Sequence, residues 1–354
     1  MMIDPHVHLR DWPLQHHKES LEHGFSIAWR AGLSGVFEMP NTIPALVSEK
    51  VILERMKMGQ DALGKLSIPL FHGIIAGVTP FDEQVKGVVD VWKRFFPRVT
   101  GLKMYCGNST GNMGITDPDA QLDVYRTLAN NNYTGVLMVH CEKESLLRPD
   151  LFNPENPKSH LKARPVEAEV ESVADQIRWA EESGFKGVLH ICHVSAPESL
   201  NLIEKGRGRL ACRLTCGVTP HHVMLSVENM KSPDGLMLKV NPPLRTESTR
   251  RELMKALFAK RINWIETDHA PHTGKEKFEN QPSGIPVLQY YSSFIKILKN
   301  HGMDDILIRQ LTFGNILKAF NLSEKLFPVN PGAESINPEE YGFDPFESIR
   351  PKEY

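Results

Sequence analysis

Residue types that hold metals recur at the ends of apolar runs in this chain. The first group is Asp4-Pro5-His6-Val7-His8-Leu9-Arg10-Asp11. Its neighbours Met2, Ile3, Val7 and Leu9 are apolar, so it reads as a short buried strand, and alternation places His6 and His8 on one face. Two imidazoles on one face at a strand end are half of a metal site. Taken alone, the pair is a weak signal and ordinary half-buried histidines are the simpler reading; later segments give it weight. Lys103 lies in Gly101-Leu102-Lys103-Met104-Tyr105, His140 closes Gly135–His140, and His190 and His193 close Gly187–Val194. Asp268 opens Asp268-His269-Ala270-Pro271-His272. An acid ending a strand can bind metal and shuttle a proton. The plainer role at such a junction is a helix N-cap.

Lys103 is the unusual member. Leu102 and Met104 are apolar, so Lys103 occupies the other face of its strand. A bare ammonium inside a core is costly to desolvate. Its neutral amine reacts with carbon dioxide to give a carbamate, an anionic group able to bridge two cations. Alone, a lysine reaching the rim or pairing with an acid is the simpler reading. Beside imidazoles on adjoining strands, the carbamate is preferred.

Eight apolar runs supply the scaffold: Met2–Leu9, Gly35–Met39, Ile68–Ile75, Thr100–Tyr105, Gly135–His140, Gly187–Val194, Arg213–Val218 and Ile262–Thr267. Segments with helical spacing alternate with them, among them Lys18–Ala31, Ser48–Gly59, Pro80–Phe96 and Ala168–Ser183. Near-continuous apolar strands alternating with helices predict a parallel sheet covered on both faces. Eight of them predict an α/β (β/α)8 TIM barrel, in which the candidate residues share the rim at the strands' C-terminal ends. A doubly wound open sheet is the alternative, but no Gly-rich phosphate loop follows the first strand. The barrel is expected over 1–326. The Pro/Glu/Asn-rich stretch 327–354 is expected to pack on its surface as a C-terminal extension, anchored by Phe343, Phe346 and Ile349.

The chain has 354 residues, 41% hydrophobic and 24% charged, with net charge −2. That is ample core material, and nothing in it favours a nucleic-acid or anionic-membrane partner. No apolar run approaches the roughly 18 residues of a membrane span. Cys106, Cys141, Cys192, Cys212 and Cys216 sit in or beside apolar runs and are odd in number, as in a reduced cytoplasmic protein. The N-terminus enters strand-like sequence with no leader pattern.

The ordered series of motifs resembles the cyclic amidohydrolases, and within them the dihydroorotase family. The resemblance runs from Met1 to about Leu322. It rests on the opening octapeptide, Met39-Pro40-Asn41-Thr42, the Lys103 pentapeptide, Val139-His140-Cys141-Glu142 and Ala163-Arg164-Pro165 with Glu167-Ala168-Glu169. Further pieces are His190-Ile191-Cys192-His193-Val194-Ser195, Val218-Thr219-Pro220-His221-His222, Lys239-Val240-Asn241-Pro242-Pro243-Leu244-Arg245 and Thr267–His272. The resemblance implies two Zn2+ ions, His6, His8 and Asp268 on one and His140 and His193 on the other, bridged by carboxylated Lys103 and a hydroxide. It implies that Arg10, Asn41 and His272 grip the substrate carboxylate and that Asn241 touches the pyrimidine ring. Asp268 would be the catalytic proton shuttle in the interconversion of dihydroorotate and N-carbamoyl-L-aspartate. The partner would be that small-molecule substrate, with a homodimer as the possible assembly. Trp12-Pro13 departs from the family's usual Pro-Gly after Arg10-Asp11. Gly107–Gly114, with Ser109 and Thr110, resembles the mobile substrate loop of the family's shorter members.

Other conspicuous residues have blander readings. His16, His17 and His23 look like surface residues on or near the first helix, His160 and His301 like loop or helix-end residues, and His72 like a satisfied core histidine. His190 is read as support for the site and not as a ligand, because it and His193 should face opposite ways. His221 and His222 are candidates for orienting the site. Arg245–Arg251 looks like a solvated helix start. Two other functions remain open: a hydantoinase, dihydropyrimidinase or allantoinase, whose substrates lack the ring carboxylate, and a non-catalytic scaffold paralogue.

Overall fold

The computed structural model describes residues 1–231 and 234–349. Eight strands pair in parallel, each with the next in chain order. They are β1 (Ile3–Val7), β2 (Gly35–Glu38), β3 (Phe71–Gly77), β4 (Val99–Cys106), β5 (Val136–Cys141), β6 (Val188–Ile191), β7 (Arg213–Val218) and β8 (Trp264–Ile265). A parallel bridge between Val7 and His269 returns the eighth segment to the first. There the His8 amide donates to the His269 carbonyl at 2.7 Å. The result is the (β/α)8 barrel that the alternation predicts. The order runs straight from first to eighth strand, which excludes the doubly wound alternative.

The intervening helices form for local reasons. Ser20 accepts from the His23 amide to cap α1 (Leu21–Arg30), and Asp117 caps α4 (Pro118–Asn130), which has proline in its first turn. Between them lie α2 (Glu49–Leu66) and α3 (Asp82–Phe95); helices Val166–Glu182, Pro197–Gly206 and Glu247–Phe258 follow later strands. Ile3, Phe37, Ile75, Val136, Met138, Val188 and Trp264 fill the inside of the barrel, with Phe313, Phe320 and Phe327 packed against them. This apolar plug leaves the C-terminal ends of the strands for polar groups. No helix among the described residues is long and apolar enough to cross a membrane.

β6 and β8 are shorter than their apolar runs. His193 and Asp268 take left-handed backbone angles, φ +35° and +50°, which end the extended ladder. The Thr267 amide then turns to the Asp4 carboxylate at 3.1 Å. Beyond residue 326 the chain lies against α1: Asn330 Nδ2 donates to the carbonyls of Trp29 and Leu33, and Tyr341 Oη to Glu19 Oε1 at 2.6 Å. Phe346 is buried edge-on to Tyr290, and Phe343 is partly buried against the main core. The side chain of Ile349 and residues 350–354 lie outside the described residues.

Candidate active site

The rim gathers the expected groups. His6 and His8 do share a face: their ring centroids are 5.2 Å apart, and their Nε2 atoms lie 3.2 and 2.8 Å from Asp268 Oδ1. Across the barrel His140 Nδ1 is 3.2 Å from His193 Nε2, and the His6 and His193 ring centroids are 5.3 Å apart. Lys103 is fully buried between the two pairs, with Nζ 3.2 Å from Cys192 Sγ and 5.0 Å from the centre of the Tyr105 ring. Metal-sized groupings of donor atoms form from His6, His8 and Asp268, and from His6, Cys192 and His193.

Three carboxylates stand behind this cluster, each two residues from a ligand candidate. Asp4 takes the amides of His6 and Thr267. Glu142 Oε2 sits 2.9 Å from His140 Nε2 and accepts from Arg164 at 3.0 Å. Glu266 accepts from the Trp264 indole at 3.0 Å and from the His193 amide, and meets His190 Nε2 at 3.0 Å. His190 also stacks on Trp264, with centroids 3.9 Å apart. His190 and His193 therefore converge on one carboxylate, His193 through its backbone. Strand alternation does not describe the pair, because the strand has ended by His193.

The electrostatics suit a cation. Burial alone would raise the Asp268 carboxyl; the His6 and His8 rings outweigh it and hold it well below the usual range. Burial, reinforced by His140, keeps His193 neutral, and burial keeps His140 neutral. Neutral imidazole is the form with a lone pair to give. Nδ1 of His193 is buried without a hydrogen-bond partner among the described residues, and the ring nitrogens of His6, also without a formed hydrogen bond, face carboxylates: Nε2 lies 3.2 Å from Asp268 Oδ1 and Nδ1 3.7 Å from Glu266 Oε1. Buried polar atoms left open cost about 1–3 kcal/mol each unless something fills the gap. Imidazoles and a carboxylate converging on one point fit a Zn2+-like ion, which would displace the proton that the Asp268 carboxylate favours on His6. The lysine beside them fits a bridging group only once its cation has become a carbamate.

The cluster forms one wall of a cavity of about 30 Å³. Arg10, Asn41, Ser109, Thr110, Asn241, Ser283 and Gly284 contribute to the rest. Arg10 is buried; Nη1 donates to the Asn41 carbonyl at 3.3 Å, and Nε has no partner among the described residues. Asn41 Oδ1 meets His8 Nδ1 at 2.5 Å, and its Nδ2 donates to the Thr110 carbonyl at 3.0 Å. Asn241 donates to Ser109 Oγ at 3.2 Å and accepts from Ser283 Oγ at 2.9 Å. Loop 107–114 is thus folded over the cluster. It starts at Gly107 (φ +133°), where a Cβ would come 2.0 Å from the Glu142 carbonyl. His272 does not reach the cavity wall. It is buried behind Gly284, with Nδ1 3.3 Å from Lys18 Nζ.

Some expectations are overturned. Arg245 is not solvated: it is buried, donates to Ser195 Oγ at 2.9 Å and lies 3.6 Å from Glu169. His160 does stand at a helix end, as expected, opening the short helix His160–Ala163, but it is buried there and its Nε2 meets Asn241 Oδ1 at 3.0 Å. His72 is the satisfied core histidine expected, 2.9 Å from Glu38. His222 holds the Pro242 carbonyl at 3.0 Å, while both nitrogens of His221 lack a hydrogen-bond partner among the described residues. The backing acids Glu142 and Glu266 went unassigned. For Glu142 a signal exists, since a residue two places from His140 at the end of a strand shares its face; Glu266 lies past the end of β8, where alternation does not apply.

Two solved structures show how far the fold is shared. An L-hydantoinase (dihydropyrimidinase) from Arthrobacter aurescens matches 98% of this chain and 80% of its own with TM-score 0.83 at 17% identity. The dihydroorotase of Saccharomyces cerevisiae, solved with 5-fluoroorotic acid, matches 92% and 85% with TM-score 0.74 at 16% identity. At these identities the likeness shows the (β/α)8 fold. No family model matches the chain. Sequence is more particular: a dihydroorotase of Methanothermobacter thermautotrophicus is 31% identical over 331 residues, 92% of this chain and 70% of that protein. The chain belongs to the dihydroorotase family. It spans between 61% and 70% of the length of the first curated relatives it matches.

Proposed function

We propose that this protein interconverts dihydroorotate and N-carbamoyl-L-aspartate, a step of pyrimidine biosynthesis. The observation that carries the reading is Arg10, a buried guanidinium with an open Nε on the wall of the same cavity as the histidine cluster. A buried cation there needs an anion, and its planar fork matches a carboxylate. Rings of the hydantoinase type carry none.

His6, His8 and Asp268 would hold one zinc ion and His140 and His193 a second, with carboxylated Lys103 between them. When bound, the ions lower the pKa of water toward 7 and polarise the carbonyl to be attacked. Arg10 and Asn41 seat the ring carboxylate, and Asn241 faces the ring. Asp268, anchored between His6 and His8, takes the proton of the attacking water and gives it to the ring nitrogen as the amide bond breaks. Closure reverses these moves and consumes one proton, because the open chain carries one carboxylate more. His272, buried beside Gly284, is the third member of the proposed carboxylate grip with Arg10 and Asn41. Loop 107–114, whose Ser109 and Thr110 line the cavity, would lift to admit the ring. We assign 1–326 to the barrel and 327–354 to its extension, and take the protein as cytoplasmic and homodimeric.

Zinc-loaded protein in bicarbonate, assayed in parallel on dihydroorotate, hydantoin and dihydrouracil, tests this. Turnover of dihydroorotate alone is expected. Turnover of only the uncharged rings would move the protein to the hydantoinases, and no turnover with metal bound would favour a scaffold. 5-Fluoroorotic acid, which carries the same ring carboxylate, serves as an equilibrium probe of the Arg10 pocket.

A further inference from the structure

Arg10 lies beyond the last residue of β1, outside the ladder that fixes His6. Among the described residues its side chain makes one long hydrogen bond, to the Asn41 carbonyl at 3.3 Å. Something else must set its direction. Arg55, from the middle of α2, is fully buried directly behind this segment. Its Nη2 donates to the Leu9 carbonyl at 3.1 Å and its Nη1 to the Asp11 carbonyl, so one guanidinium holds the backbone on both sides of Arg10. Its Nε donates to Glu38 at 2.9 and 3.0 Å, and Trp12 lies over it at 5.5 Å.

The support for Arg55 is itself built in. Glu38 ends β2, and its second oxygen meets His72 Nε2 at 2.9 Å. His72 fits because residue 59, one turn along α2 from Arg55, is glycine; a Cβ there would come 2.2 Å from His72 Nδ1. Burial alone would raise the Glu38 carboxyl, but Arg55 and His72 hold it below the usual range, so it faces the guanidinium as a carboxylate. A buried ion pair adds little net stability, because its desolvation cost is close to its Coulombic gain. What a rigid fork does supply is geometry.

We infer that Arg55 is a positioning residue for the substrate carboxylate: with Glu38 behind it, it clamps the carbonyls of Leu9 and Asp11 and so aims Arg10 into the cavity. This rests on the reading of Arg10 as the carboxylate grip. It also gives a part to Trp12, which stands where the family usually has Pro-Gly.

The test is a double-mutant cycle read by equilibrium binding of 5-fluoroorotic acid to the metal-loaded protein, with metal content and melting temperature measured on each variant. Arg55→Lys keeps a cation opposite Glu38 but cannot span both carbonyls. It is expected to weaken binding about tenfold with metal content unchanged. In an Arg10→Ala background the same substitution should cost nothing further. A loss of equal size in both backgrounds, or no loss at all, overturns the proposal. If Arg55→Lys does not fold, Glu38→Gln loosens the same fork and enters the same cycle. Failure of the unsubstituted protein to bind the probe would instead sink the carboxylate reading, and this proposal with it.

Discussion

The two walls of the cavity are built differently. The strand wall carries His6, Lys103 and His140, whose backbones lie in the parallel ladder and whose neighbours Asp4, Glu142 and Glu266 are buried carboxylates. The loop wall carries Ser109, Thr110, Asn241 and Ser283, joined by single hydrogen bonds such as Thr110 Oγ1 to the Ser283 carbonyl at 2.9 Å. Its firmest point is Lys277, fully buried, whose ammonium donates to the carbonyls of Lys239, Pro282 and Gly284 at 3.0, 3.0 and 2.9 Å. The strand wall has the rigidity that a metal centre needs. The loop wall can let go of a few bonds at a time, as a closing lid must.

The largest effect should come from the strand wall. Lys103→Ala removes the proposed bridge and is expected to abolish turnover and lower the bound metal below two equivalents, read by elemental analysis beside the assay. Full metal and full rate in this variant would break the division between the walls, because no strand residue would then be indispensable.

The same division explains what could be read in the sequence. Strand periodicity locates the barrel, and the types at strand ends locate His6, His8, Lys103, His140 and Asp268, since a parallel barrel brings every strand end to one rim. The ends of β6 and β8 were not legible: apolar runs continue past them, and only the backbone at His193 and Asp268 shows where the ladder stops. The loop wall was less legible still. Arg245 reads as one more charge in a polar helix start, yet it is buried against Glu169 by a contact 76 residues away in sequence. His160 is likewise set by a distant partner, Asn241. Periodicity carries no information about contacts that loops make over such separations.

Lys277→Met probes the loop wall at its firmest point. It leaves three buried carbonyls without their shared donor, at about 1–3 kcal/mol for each one that water cannot reach. A lower melting temperature and weaker substrate binding are expected, with metal content unchanged. Loss of metal as well would show that the loop wall helps to shape the ligand cluster and that the two walls are one structure.

The smallest effect should come from Thr110→Val, which keeps the shape of the side chain and deletes one hydroxyl. The wild-type hydroxyl donates to the Ser283 carbonyl across the mouth of the cavity. Thr110 keeps its other tie, because its backbone carbonyl still accepts from Asn41. Losing one neutral hydrogen bond of about 0.7 kcal/mol corresponds to roughly a threefold change in the balance between closed and lifted loop. If closure is part of binding, KM for dihydroorotate should rise by about that factor, while kcat holds or rises slightly because the loop opens more readily to release product. An unchanged KM would mean that this contact does not contribute to closure, and that the hinge at Gly107 and the backbone tie to Asn41 carry it.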